Sequence, residues 1–203
     1  MTTTVTYWFA VQSPFAYLGH ARVREVCTRH AVTLDPKPVD IGRVFAATGG
    51  VPFGQRHVSR QEYRGHELRR WSTYLHLPIN LAPKFFPVDA TLAARMIIAT
   101  QASVDTERAL DLAGACMRAV WVEDRDIADA ATLESIAQTC HLDGPSLIAA
   151  ARGDAAGAAF ETNTQAAIDN NIFGAPTYVF DGEPFWGQDR IDFLDRALTA
   201  RGM

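Results

Sequence analysis

The sequence predicts an α/β fold, a four-stranded core of βαβ…ββα order interrupted by an all-helical insertion. Three observations carry this. The chain opens on a strand, a helix and a second strand within residues 7–38. It closes on two short strands joined by Asp181-Gly182, followed by a helix that runs to about residue 201. Between them, residues 41–171 carry helical periodicity. Two strands at each end must combine into one sheet, because a two-stranded piece is not independently stable. Residues 1–40 and 172–203 then form the sheet-bearing domain, and residues 41–171 the helical insertion domain.

Each element has a local reason. Residues 7–11, Y-W-F-A-V, are a continuous apolar run of strand length. Ser13 is a good N-cap, and Pro14 suits the first helical position, where a missing N–H costs nothing. The helix should run to about His30, with Phe15, Leu18, Ala21 and Val26 on one face. A short strand, V-T-L, follows and ends at Pro36 and Pro38. A helical turn around Ile41, Val44 and Phe45 must stop at Gly49-Gly50, and residues 51–57 read as loop. Residues 59–76 are helical and heavily charged, with Leu68, Trp71 and Leu75 as the apolar stripe. After an extended, proline-punctuated connection come helices capped by Asp89, by Asp105 or Thr106 and by Asp154, with two others over residues 129–141 and 145–152. Residues 177–180 and 183–186 form a hairpin through Asp181-Gly182, and residues 191–201 a closing amphipathic helix.

Composition narrows the function classes. The chain has 203 residues, 48% of them hydrophobic, which is enough for a real core. A net charge of -4 with interspersed signs provides no basic track for nucleic acid. No apolar run spans a bilayer and the N-terminus does not read as a signal peptide, so a cytoplasmic location is expected. Cys27, Cys116 and Cys140 are odd in number and widely spaced, each within a predicted helix, and fit buried thiols rather than a disulfide framework. The histidines form no H-x-x-x-H pair, so no metal site is expected.

The order βαβ, helices, ββα is that of a thioredoxin-like core. There, the helix after the first strand carries the reactive group, C-x-x-C in redox members. Here those four residues are Ser13-Pro14-Phe15-Ala16, so the protein cannot itself exchange a dithiol. A serine hydroxyl at a helix N-terminus can still stabilise a thiolate, by hydrogen bonding and through the dipole. That thiol has to arrive on a cofactor. Ala175-Pro176, just before a strand, is expected to hold a cis bond facing this helix and to offer backbone to a peptide-like ligand. Gly187-Gln188-Asp189-Arg190 opens the last helix, where a carboxylate could bind and Asp189 could take an amino group.

These motifs carry a resemblance over essentially the whole chain. S-P-F-A-Y-L-G at 13–19, A-T-G-G at 47–50, E-L-R-R-W at 67–71, F-P-V-D at 86–89 and F-G-A-P-T-Y-V-F-D-G-E-P-F-W-G-Q-D-R at 173–190 resemble the 2-hydroxychromene-2-carboxylate isomerase family. That family is glutathione-dependent and lies close to the kappa-class glutathione transferases within the DsbA-like group. The resemblance implies that Ser13 activates the glutathione sulfur, that Ala175 and Pro176 bind the cysteinyl backbone, and that Asp189 and Arg190 hold the γ-glutamyl end. Gly49, Gly50 and Gly187 are the remaining implied glutathione-binding positions. The implied reaction interconverts 2-hydroxychromene-2-carboxylate and trans-o-hydroxybenzylidenepyruvate through a transient glutathione adduct, and a homodimer is implied as well. Two positions depart from the family pattern. Gly50 replaces the usual Asn of A-T-G-N, and Asp89 the usual Asn after F-P-x. Asp89 adds negative charge unless it only caps its helix.

An apolar slot for the substrate's aromatic ring has Phe45, Phe53 and Trp186 as candidates, each weighed against plain core packing, which aromatics more often serve. Arg60, Arg64, Arg69 and Arg70 read as a solvated face, with one arginine possible near the substrate carboxylate. Three functions stay open at this point: the isomerase, a kappa-like transferase or peroxidase that consumes glutathione, and a non-catalytic thiol- or peptide-binding protein.

Overall fold

The computed structural model describes residues 3–202. Its single mixed sheet has the order β2-β1-β3-β4. Strand β1 (Thr4–Phe9) runs parallel to β2 (Thr33–Pro38), and the crossover between them is α1 (Pro14–Arg29). On its other side β1 is antiparallel to β3 (Thr177–Phe180), which forms a hairpin with β4 (Glu183–Trp186). Asp181 and Gly182 make that turn at φ 49° and 83°, the positive pair that a two-residue hairpin loop demands. The predicted four-stranded core is present.

The first strand differs from the sequence reading at both ends. It starts at Thr4, where the alternation of Thr4, Val5 and Thr6 puts a fully buried Val5 opposite Leu34. It stops at Phe9, because the chain turns there and the Ser13 N–H bonds the Ala10 carbonyl at 2.9 Å. Val11 stays buried without belonging to the sheet. Strand β2 passes through Pro36. The Thr33 and Val39 N–H groups face β1, so by alternation Pro36 and Pro38 turn their nitrogens to the open edge, where no ladder bond is lost.

The helical part comprises α2 (Ile41–Thr48), α3 (Val58–Leu75), α4 (Thr91–Ser103), α5 (Thr106–Trp121), α6 (Ala130–Thr139), α7 (Gly144–Arg152) and α8 (Asp154–Asp169). A short 3-10 turn, Phe53–Gln55, interrupts the predicted loop before α3. Asp40, Asp105, Asp129 and Asp143 cap α2, α5, α6 and α7 through their side chains. Two predicted caps shift by one residue. Ala90 occupies the cap of α4, with the Asp89 carboxylate accepting from the Thr91 N–H at 2.9 Å, and Gly153 caps α8, leaving Asp154 in its first turn. Cys140 lies at the C-cap of α6 rather than within it. Ala21 is exposed on α1, whose buried face runs through Leu18, Val23 and Val26. A 3-10 turn, Gln188–Arg190, leads into α9 (Ile191–Gly202).

One cluster of buried side chains runs from the sheet (Val5, Tyr7, Phe9, Tyr178) into α4, α5 and α6 (Met96, Leu110, Met117, Ile136). At its centre His20 is buried, and its Nε2–H donates to the Leu110 carbonyl at 2.9 Å. Burial, helped by the Arg24 cation, pulls the His20 pKa down to about 4. The unfolded chain therefore takes up a proton near pH 6.5 that the folded chain refuses until about pH 4. His20 thus leaves stability intact above pH 6.5 and removes about 1.4 kcal/mol per pH unit as the pH falls through that window. Urea unfolding of the wild type and of His20→Leu at pH 7 and pH 4.5 checks this. The variant's loss of stability on acidification should be smaller by roughly 2–3 kcal/mol.

Candidate active site

Ser13 is where the sheet, the crossover helix and the last loop converge. Its backbone is extended (φ -80°, ψ 123°), and its Oγ accepts from the Ala16 N–H at 3.3 Å, as an N-cap should. The same hydroxyl donates across the chain to the Ala175 carbonyl at 3.4 Å, a long bond that a better acceptor can displace. Pro14 has no N–H to offer, and the Phe15 N–H has no partner among the described residues. The first turn of α1 therefore presents one hydroxyl and one free amide, with no acidic residue in that turn to oppose an anion.

Opposite stands the Ala175–Pro176 bond, which is cis. The Ala175 N–H has no partner among the described residues, and Pro176 is tied to the next loop by the Gly187 N–H, which donates to its carbonyl at 2.9 Å. Gly187 sits at φ 106°, and a Cβ there would overlap the Asp189 carboxylate. Asp189 and Arg190 pair with each other at 2.8 Å on a partly exposed surface. Buried Gln188 anchors this segment to α1: Arg22 Nη1 donates to both its carbonyl and its Oε1 at 3.1 Å.

Two cavities meet here, with Phe15, Phe45, Arg56 and Ala175 in the wall of both. One, of about 330 Å³, has the polar rim: Gly174, Ala175, Pro176, Gly187, Asp189 and Arg190, with Glu67, Trp71 and Trp186. The other, of about 480 Å³, lies over Ser13 and is largely apolar: Pro14, Phe15, Phe45, Phe53, Phe86, Pro87 and Val88, with Arg64. The structure thus brings Ser13, Phe45, Phe53, Ala175, Pro176, Gly187, Asp189 and Arg190 together. Gly49 and Gly50 line neither cavity. They border a third, of about 250 Å³, together with Phe45, Arg56 and Trp186. Gly49 is the left-handed C-cap of α2, and a Cβ on Gly50 would run into the Phe45 ring. An Asn at position 50 therefore has no room in this arrangement. Trp186 is 52% exposed, edge-on to Phe173 at 4.8 Å, and forms a rim rather than a wall of the Ser13 cavity. Asp89 borders neither cavity at Ser13. Its bonds to Thr91 hold its carboxyl below the usual range, as a cap's would be.

Arg56 is a residue that sequence reasoning passes over, and Arg64, read there as part of a solvated face, is instead half-buried in the cavity wall. Arg64 stands beneath the ring of Phe53 at 4.2 Å, with Phe86 at 5.2 Å and Trp121 at 5.6 Å. It makes no salt bridge and no hydrogen bond among the described residues, and burial, with Arg56 adding to it, pulls its pKa down to about 10. It remains a cation at neutral pH. The signal was there: Arg64, Leu68, Trp71 and Leu75 follow one another at helical spacing, so Arg64 shares the buried stripe of α3. None of the cysteines borders either cavity. Burial pushes Cys27 up to about 12 and Cys116 higher still.

A model of the DSBA-like thioredoxin domain matches residues 4–199. The chain belongs to the DSBA-like thioredoxin domain family. Within it, the chain is 26% identical over 199 residues to a 2-hydroxychromene-2-carboxylate isomerase of Sphingobium xenophagum, covering 98% of this chain and 99% of the relative. A solved 2-hydroxychromene-2-carboxylate isomerase superposes with a TM-score of 0.82 at 23% identity, covering 97% of this chain and 95% of that one. The cytosolic disulfide reductase DsbM from Pseudomonas aeruginosa, solved with GSH, superposes with a TM-score of 0.68 at 16% identity, covering 97% and 99%. Solved proteins named for different chemistries thus share this fold, and in this chain Ser13 is the N-cap of α1. No helix among the described residues is long and apolar enough to cross a membrane.

Proposed function

We propose that this protein is a glutathione-dependent isomerase acting on 2-hydroxychromene-2-carboxylate or a related aromatic acid. The observation that carries the reading is Ser13. Its hydroxyl lies at a helix N-terminus, lines the apolar cavity and bonds Ala175 of the cis-proline loop, a residue that this cavity shares with the polar-rimmed one. The relatives named as isomerases support the reaction class, and the reductase solved with GSH supports the ligand class.

The polar-rimmed cavity suits the tripeptide. The free Ala175 N–H and the Pro176 turn can hold its cysteinyl backbone, and Asp189 with Arg190 can take the ammonium and carboxylate of the γ-glutamyl end. Bound there, glutathione supplies the nucleophilic thiolate whose reversible addition allows a carbon–carbon bond to rotate. Ser13 gives up its long bond to the Ala175 carbonyl and donates to the sulfur, favouring the thiolate over the thiol. The Phe15 amide and the α1 dipole act in the same direction. Phe45, Phe53 and Phe86 provide an apolar slot for the aromatic ring and exclude water.

Following 2-hydroxychromene-2-carboxylate by ultraviolet absorbance, with and without glutathione, tests this, free thiol being counted before and after. The expected result is interconversion only with glutathione, at constant total thiol. Loss of thiol in step with substrate identifies a transferase instead. Glutathione binding without turnover identifies a binding protein.

A further inference from the structure

Arg64 is an expensive residue to keep where it stands. A half-buried guanidinium loses hydration, and without a partner that loss is not repaid by the protein. Several other arginines do find carboxylates: Arg22 pairs with Asp192, Arg24 with Asp111, Arg118 with Glu123 and Arg201 with Asp181. No carboxylate pairs with Arg64 among the described residues, although Phe53, Phe86 and Trp121 fix its plane. The aromatic faces offset part of the desolvation and hold the charge in one orientation. Neighbouring Arg56 adds a second cation while its own Nε–H is taken by the Val51 carbonyl at 2.7 Å. The cavity over Ser13 is thus apolar on most sides and cationic at one point.

From this placement we infer that Arg64 is the receptor for the carboxylate of the aromatic substrate, so that the cavity over Ser13 selects planar aryl or styryl acids over their neutral analogues. The inference rests on the reading of Ser13 as the reacting centre and deepens it by naming the group that sets substrate class. Arg64 takes no proton and makes no covalent bond. It fixes one end of the substrate by charge-assisted hydrogen bonds, while the ring stacks in the slot formed by Phe53 and Phe86. It also fits with an empty pairing position: a guanidinium presents five donors in a planar fork, and none of those of Arg64 is engaged among the described residues.

The test needs no turnover. Binding of trans-cinnamate and of trans-cinnamamide, measured by calorimetry without glutathione, compares an aryl acid with its neutral isostere. Wild type should prefer the acid by about tenfold or more, and Arg64→Met should abolish the preference while binding the amide as before. Arg64→Lys keeps the charge but not the fork, and should retain part of the preference. Equal binding of acid and amide to wild type, or no binding of the acid at millimolar concentration, overturns the inference whether or not any variant folds. So does a preference that survives in Arg64→Met. Glutathione affinity, measured on the same samples, is expected to change less than about twofold in Arg64→Met. If glutathione fails to bind wild type while the acid preference depends on Arg64, it is the glutathione reading that fails and not this one.

Discussion

Replacing Ser13 by alanine is expected to lower kcat for isomerisation by about 10²- to 10³-fold, the usual consequence of removing one preorganised donor from a developing or bound anion. The hydroxyl has two roles that can be separated. As a cap it accepts from the Ala16 N–H, and losing that bond costs about 1 kcal/mol of stability. As a donor it faces the Ala175 carbonyl and, in the proposed complex, the sulfur. Glycine is nearly as good a cap as serine and has no donor, so Ser13→Gly should keep the melting temperature of wild type within a few degrees and lose as much activity as Ser13→Ala. A Ser13→Gly enzyme with near-normal kcat would leave serine no role beyond the cap.

The second large effect is expected at Gly19, the last residue of the S-P-F-A-Y-L-G run. A Cβ there would lie 2.7 Å from Tyr178 Oη, 2.8 Å from Gln188 Cβ and 3.3 Å from Ile191 Cδ1. All three sides are buried, so the crowding cannot be relieved by a surface side chain swinging away. This close approach sets α1 directly against β3 and against the segment that carries Asp189 and Arg190. Gly19→Val should destabilise the protein by about 1–3 kcal/mol. It should also weaken glutathione binding by roughly tenfold even where the variant is folded, because the two sides of the ligand site would no longer be held at one spacing. Gly65→Ala is the control: a Cβ at Gly65 meets only Arg69 Nη1, at 3.9 Å, and the change should stabilise α3 by up to about 1 kcal/mol. Urea denaturation and glutathione titration of the two variants side by side check both statements.

Much of the fold was legible because its signals are local. Ser13-Pro14 announces a helix start, Asp181-Gly182 a hairpin, and Gly49 a helix end, and each does in the structure what its backbone preference dictates. The end of β1 is not legible in the sequence, because Ala10 and Val11 are buried without being in the sheet. Hydrophobicity reports burial, and only the hydrogen bond from Ser13 back to Ala10 shows that the strand has ended. Pro36 looked like a strand end, but an edge strand can pass through a proline whose nitrogen faces outward.

The site was legible in part for the same reason. The residues on the α1 turn and the 173–190 segment are sequence motifs with backbone roles. Arg64 was not, because it lies in a run of charged residues on α3 that includes Arg60, Arg69 and Arg70. Three of these four are exposed, and only tertiary packing against Phe53, Phe86 and Trp121 distinguishes the fourth. Gly50 shows the converse. Motif comparison marks it as a missing side-chain contact, whereas the structure shows the Phe45 ring already filling that space.

In the proposed complex, Ser13 favours the thiolate of a bound glutathione. Thiolate absorbance in the ultraviolet, recorded for glutathione bound to wild type and to Ser13→Ala across pH 5 to 10, measures it directly. Bound glutathione is expected to ionise below its free pKa on wild type, and Ser13→Ala to raise that pKa by about one unit or more, each unit being about 1.4 kcal/mol of lost thiolate stabilisation. Equal ionisation of glutathione on the two proteins, or no binding to wild type at millimolar concentration, would contradict it.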